Sequence, residues 1–229
     1  MGGRGGNSGV GANRNAARAI QNIKTIDKLA DYMLDKYDFS FYDDSLAKLD
    51  FEFVKAAAVE IAAIKDEFPQ ASQALRGIYV QSRSDGELAL YNVYSRSIAL
   101  SPSFIYGTAA ATYSSQVRAG NAPEGGKVIN IISHEMGHGL ESALAQRNGT
   151  SLERHNEATR IVSKAAKVVK SSSQGKDMKI NDMVSQISSY ATKNRSETLA
   201  EAVADYRANG ARAKPLSRAI WAELKRELS

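Results

Sequence analysis

The chain has 229 residues, 43% of them hydrophobic and 24% charged, which is enough for one sizeable domain with its own core. It has no cysteine and 3 histidines, so disulfides and thiolate chemistry are excluded and any imidazole chemistry falls to His134, His138 and His155. The net charge of +5 is uneven, with 16 basic and 9 acidic residues in 145–229 against 8 and 13 in 38–144.

The first 13 residues, rich in Gly with Asn, Ser and Arg, read as a flexible tail or linker. Mixed apolar and charged residues at helical spacing follow from Arg14 to about Tyr37. Asp43, Asp44 and Ser45 offer a cap for a second helix over 45–67, with Leu46, Leu49, Phe53, Ala57, Ile61 and Ile64 as its apolar stripe. Residues 14–70 therefore read as a helical N-terminal part ahead of a domain over 71–229.

Three short β-branched or aromatic runs come next: one from Gly77, one over Leu88–Val93 and one from Ser97, closed by Pro102. Their close spacing, with a turn signal at 84–86, predicts an antiparallel meander. Residues 107–126, rich in Gly, Ala, Ser and Asn, predict a long loop. Helices are expected over 127–147, 152–170 and 194–209, with a polar loop at 171–181. Pro215 opens a last amphipathic helix carrying Leu216, Ile220, Trp221, Leu224 and Leu228. The fold class expected is α+β.

The helix expected over 127–147 carries the chemistry. His134, Glu135 and His138 form H-E-x-x-H within an otherwise apolar run. Residues i and i+4 share a helix face, so both imidazoles can reach one ion, and a carboxylate beside the first can meet an activated water. Such a helix rarely turns polar groups inward without a partner for them. Position 141 is Glu and position 144 is Leu, which excludes the metzincin extension. For a third ligand, His155 sits among charged residues and reads as a surface histidine, whereas Glu197 and Glu201 lie one turn apart on a helix with an apolar back. One of these carboxylates can bind a metal and the other can accept the N–H of a ligand imidazole. Tyr190, seven residues before Glu197, either packs or donates to an oxyanion.

These residues resemble a family. Ser133 to Glu141, followed by Tyr190, Glu197 and Glu201 at spacings of seven and four, is similar to the catalytic domain of anthrax lethal factor and the clostridial Pro-Pro endopeptidases, and to metallopeptidase-like modules of phages and mobile elements. The likeness covers about residues 75–210 and does not extend to 1–70. It implies a zincin-like fold, with a small antiparallel or mixed sheet whose edge strand lies beside the H-E-x-x-H helix. It also implies one Zn²⁺ per chain, held by His134, His138 and Glu197. Glu135 would be the general base, Tyr190 would stabilise the oxyanion, and Glu201 would hydrogen-bond a ligand histidine. The stretch Ala89–Asn92 followed by Ser97–Pro102 looks like the family's edge strand before the zinc helix, and within it Ile98, Ala99 and Leu100 are expected to pair with an extended peptide. An extra basic helix and polar loop between His138 and Glu197 depart from the pattern and leave the cleft shape open.

The expectation is thus a zinc-dependent endopeptidase acting on a peptide or protein substrate. The alternative is a non-catalytic zincin-fold module of a phage or mobile-element particle. The basic C-terminal third comes with no zinc-knuckle, RNP or helix-turn-helix signal, so it reads as solvated helix faces rather than a nucleic-acid surface. No apolar run reaches a membrane-spanning length and no signal peptide is read, so a cytoplasmic or particle-associated location is expected, with non-Sec export as a further route.

Overall fold

The computed structural model describes residues 8–42, 44–82, 86–147, 154–173 and 175–229, with the backbone alone for 8–13 and Arg154. Helices predominate among them, joined to one small sheet in an α+β arrangement. The expected cap residue at 43, the turn residues at 84–85 and the helix stop at 148–149 lie outside the described residues.

Helix α1 (Ser8–Asn22) begins inside the stretch expected to be a tail. The single helix read over 14–37 is two. Thr25 caps α2 (Ile26–Tyr37) by accepting from Lys28 N–H, and this hydroxyl cap interrupts an apolar period that runs on unbroken in the sequence. Asp50 does the same for α3 (Phe51–Glu67), accepting from Phe53 N–H at 2.9 Å. Leu46 is therefore buried from a 3₁₀ turn rather than from α3.

The strands β1 (Ser40–Phe41), β2 (Gly77–Val80), β3 (Ala89–Asn92) and β4 (Ser97–Leu100) form a sheet in the order β1-β2-β4-β3. β1 and β4 run parallel to β2, and β3 runs antiparallel to β4. The meander is thus not formed, because β4 inserts between β2 and β3. Burial explains the choice. Ser97, Ile98, Ala99 and Leu100 are all buried, as suits a strand flanked on both sides, whereas β3 alternates buried Ala89 and Tyr91 with more open Leu90 and Asn92.

The remaining elements are α4 (Ala109–Arg118), α5 (Asn130–Arg147), α6 (Arg154–Lys170), α7 (Ile180–Ser185), α8 (Arg195–Asn209) and α9 (Pro215–Leu228). α4 replaces half of the expected long loop. Its alanine run favours helix, and Ala109 and Tyr113, one turn apart, are both buried. One hydrophobic core continues across residue 70, from Ile20 and Ile61 to Trp221 and Leu228. No helix of the described residues is long and apolar enough to cross a membrane.

Two contacts set the relation between the helices that carry the candidate ligands. α5 and α8 pack directly on one another at Gly137, where a Cβ would lie only 2.7 Å from Ala200 Cα. A glycine is needed there because the two backbones touch. Behind them, Glu60 of α3 accepts from Arg207 Nε and Nη2 of α8, both at 2.7 Å, and from Ser133 Oγ of α5, also at 2.7 Å. One carboxylate therefore ties three helices at the position just before His134.

Candidate metal centre

His134 and His138 lie one turn apart on α5, and Glu197 lies in the first turn of α8, where the Asn194 side chain caps the helix by accepting from Glu197 N–H. The close approach at Gly137 brings the two faces together. The ligand-type atoms of His134, His138 and Glu197 all lie within 4.8 Å of one another, a cluster that could hold a metal ion. Glu197 Oε2 is 3.3 Å from His134 Nε2 and 3.5 Å from His138 Nε2. It is buried and makes no hydrogen bond.

The backs of both imidazoles are occupied. His134 Nδ1–H donates to Glu201 Oε1 at 2.7 Å, and Glu201 Oε2 accepts from Ser188 Oγ at 2.5 Å. On the other side, His138 Nδ1–H donates to Ser196 Oγ at 3.3 Å, and Ser196 donates to Glu141 Oε2 at 2.5 Å. Each histidine is thus backed by a serine and a carboxylate. This fixes a proton on each Nδ1 and turns both Nε2 atoms toward Glu197 Oε2.

The electrostatics follow from that crowding of carboxylates. Burial alone would lower both imidazole pKa values, but Glu197 and Glu201 hold His134 well above its ordinary value. Glu141 and Glu197 likewise hold His138 at about 9 against burial. Glu197 is the converse: burial would raise it, yet the two imidazoles bring it far below the usual carboxylate range. An orphaned buried carboxylate oxygen facing two imidazole nitrogens is a donor set that fits a divalent cation of borderline softness.

Glu135 is buried, and burial raises its pKa, opposed by the nearby imidazoles and by the main-chain N–H of Tyr91 on β3. That contact identifies the open rim of the sheet. Ser101 N–H donates to Leu88 C=O, so in the alternating antiparallel ladder Leu88, Leu90 and Asn92 face β4, while the main-chain groups of Ala89 and Tyr91 face away from it. A cleft of about 470 Å³ opens there, lined by Leu88, Ala89 and Leu90 on one wall and by His134, Glu135 and Tyr190 among others. The Tyr190 ring lies 6.0 Å from that of His134. Burial, and next the Glu197 carboxylate, push the phenol well above its ordinary value, so it is protonated and able to donate at neutral pH.

The structure therefore brings together His134, Glu135, His138, Tyr190, Glu197 and Glu201. It does not bring in Ile98, Ala99 and Leu100. These lie in β4, are almost fully buried and have neighbouring strands on both sides, so they cannot accept a further strand. The edge beside the cleft is β3 instead. His155 is mostly exposed and approaches Glu141 Oε1 at 3.7 Å, away from the ligand cluster. Glu141, Ser188 and Ser196 were not anticipated. The i, i+3 spacing of Glu141 from His138 was a usable signal, whereas no periodicity announces either serine.

The chain matches no protein-family model, no curated protein and no solved structure.

Proposed function

We propose that the protein is a zinc-dependent endopeptidase with a zincin-type fold. The observation that carries this reading is the buried, unpartnered Glu197 Oε2 facing two imidazole Nε2 atoms whose opposite nitrogens are tied off. Further support comes from the small mixed sheet, whose antiparallel edge strand lies beside the histidine-bearing helix.

His134, His138 and Glu197 would hold the ion. When bound, zinc polarises a carbonyl and makes water a nucleophile at neutral pH. The chain's own groups do the rest. Glu135 takes a proton from the attacking water at its carboxylate and passes it to the nitrogen of the leaving amine. Burial raises the Glu135 pKa, and a carboxylate held above its usual range is the stronger base for the first half of that transfer. Tyr190 donates its phenolic O–H to the oxygen that gains charge. The outward main-chain groups of Ala89, on the rim of β3, are placed to hydrogen-bond an extended peptide.

Metal content by plasma mass spectrometry tests the centre, and peptide cleavage tests the chemistry. About one zinc per chain is expected in the wild type, and little in His138→Ala. Glu135→Gln should keep its metal and lose cleavage by at least about 10²-fold. Undiminished zinc-dependent cleavage by Glu135→Gln would remove Glu135 from its role. Zinc binding without cleavage of any peptide in a broad library would favour a binding module instead.

A further inference from the structure

The cleft contains a cation that the proposed chemistry does not use. Among the described residues Lys193 is the one lysine or arginine on the cleft walls, beside the carboxylates Glu87, Glu135, Glu197 and Glu201. Among the described residues no carboxylate lies within ion-pair distance of it. Its ammonium instead sits 4.9 Å from the Tyr190 ring centroid and donates to Tyr190 Oη at 3.3 Å.

That position is built by local structure. Tyr190–Thr192 is a 3₁₀ turn capped at Lys193, and residues three apart in such a turn lie one above the other. The lysine stem is laid against the phenol, which holds the charge in the cleft rather than free in solvent. Because Tyr190 Oη accepts from Lys193, its own O–H is left to donate toward the reacting carbonyl. The two groups therefore share one direction of approach. A carbonyl oxygen sits about 3 Å from a donating phenol. A group paired with the Lys193 ammonium, itself 3.3 Å from Tyr190 Oη, then falls within about one or two residues of the reacting carbonyl, at about 3.3–3.6 Å per extended residue.

We propose that Lys193 makes this cleft selective for substrates with a carboxylate next to the scissile peptide bond. The inference rests on the peptidase reading given above. Two sources present that group at the required reach: an Asp or Glu side chain on a flanking residue, or the free C-terminus of a product only one or two residues long. Ser189 and Thr192, from the same short segment as Lys193, also line the cleft. Among the described residues no second lysine or arginine lines the cleft, so a carboxylate placed away from Lys193 gains nothing.

The test uses quenched fluorescent peptides on the zinc-loaded full chain. One arm compares Glu with Gln at each position flanking the bond. The other compares a free C-terminus with its amide, one and two residues beyond the bond. The reported quantity is the ratio of kcat/KM between paired peptides within one variant, which cancels general damage to the enzyme. Because Lys193 is solvent-exposed, a preference for the carboxylate member of roughly two- to fivefold is expected in one arm. The responding arm identifies the source. Lys193→Ala should bring that ratio close to one, and Lys193→Glu should favour Lys or Arg at the same position. Equal rates for all pairs in the wild type, or a preference unmoved by Lys193→Glu, would overturn the inference and leave the peptidase reading standing. A zinc-loaded wild type that cleaves none of these peptides, nor a broad library, overturns both.

Discussion

At His134 the orientation of the imidazole is decided from behind. Its Nδ1–H donates to Glu201, which accepts in turn from Ser188, so the ring cannot turn its Nε2 away from Glu197. Truncating Glu201 to Ala leaves the His134 Nδ1–H and the Ser188 hydroxyl proton without acceptors, although Ser188 Oγ still accepts from Ala191 N–H. Zinc affinity should fall about 10–100-fold, as measured by competition with a chelator, while the three ligands are untouched. The same carboxylates set the response to pH. Both imidazole pKa values are raised above the unfolded value near 6.5, His138 to about 9. In protein stripped of metal, the protonated imidazoles therefore contribute stability that is full below about pH 6.5 and is lost as the pH rises through about 9. Zinc has to displace those protons, so its affinity should move the opposite way. It should rise by between about tenfold and a hundredfold per pH unit between about pH 6.5 and 9, according to whether one proton or two are released. A zinc affinity flat across this range would show that the imidazoles are already neutral.

Between elements, the decisive contact is that of α5 with α8. His134 and His138 come from one helix and Glu197 from the other, and the distance between them is set at Gly137. In Gly137→Ala the new methyl meets Ala200 Cα, which belongs to backbone and cannot swing aside. Alanine favours the helix itself by about 1 kcal/mol, but overpacking of this kind costs about 1–3 kcal/mol. The net loss of stability should be small or moderate. The loss of zinc affinity should be larger than that stability change, since the helices must part along the line joining the ligands. A variant that binds zinc as tightly as the wild type would mean that α8 slides along α5 rather than parting from it. The sheet makes a related point. Ser97–Leu100 reads as a strand, and so does Ala89–Asn92, but which of them is the edge depends on which one the tertiary structure flanks on both sides. The burial of every β4 residue, against the alternation along β3, records which strand is flanked on both sides.

On the scale of the whole molecule, the N-terminal helices are built into the site. Glu60 reaches from α3 to Arg207 and Ser133, and the side chains of both members of the ion pair are mostly buried. In Glu60→Gln a largely buried guanidinium loses its counter-charge, at a cost of about 3 kcal/mol. For a chain of this length that is a fall in Tm on the order of 6–12 °C. The single tryptophan reports it. Trp221 stacks on Tyr206, packs edge-on against Phe68 and donates to Glu67, so its fluorescence follows the docking of α9 on the rest of the core. A melting curve unchanged by Glu60→Gln would show that α3 is held to α5 and α8 by its apolar face alone.

The sequence by itself determined the local chemistry. The four-residue spacing of His134 and His138, the one-turn spacing of Glu197 and Glu201 and the position of Tyr190 follow from helical periodicity, which is a property of consecutive residues. Helix starts were less accessible, because side-chain caps at Thr25 and Asp50 break elements whose apolar period continues through them. Tertiary structure alone decided which strand is the edge, how Ser188 and Ser196 back the two histidines, and how Glu60 locks three helices together. Those partners lie 13, 58 and 147 residues apart in the chain, for Ser188–Glu201, His138–Ser196 and Glu60–Arg207 respectively. A hydrogen bond between such groups depends on the packing of whole elements, and no spacing within a single element encodes it.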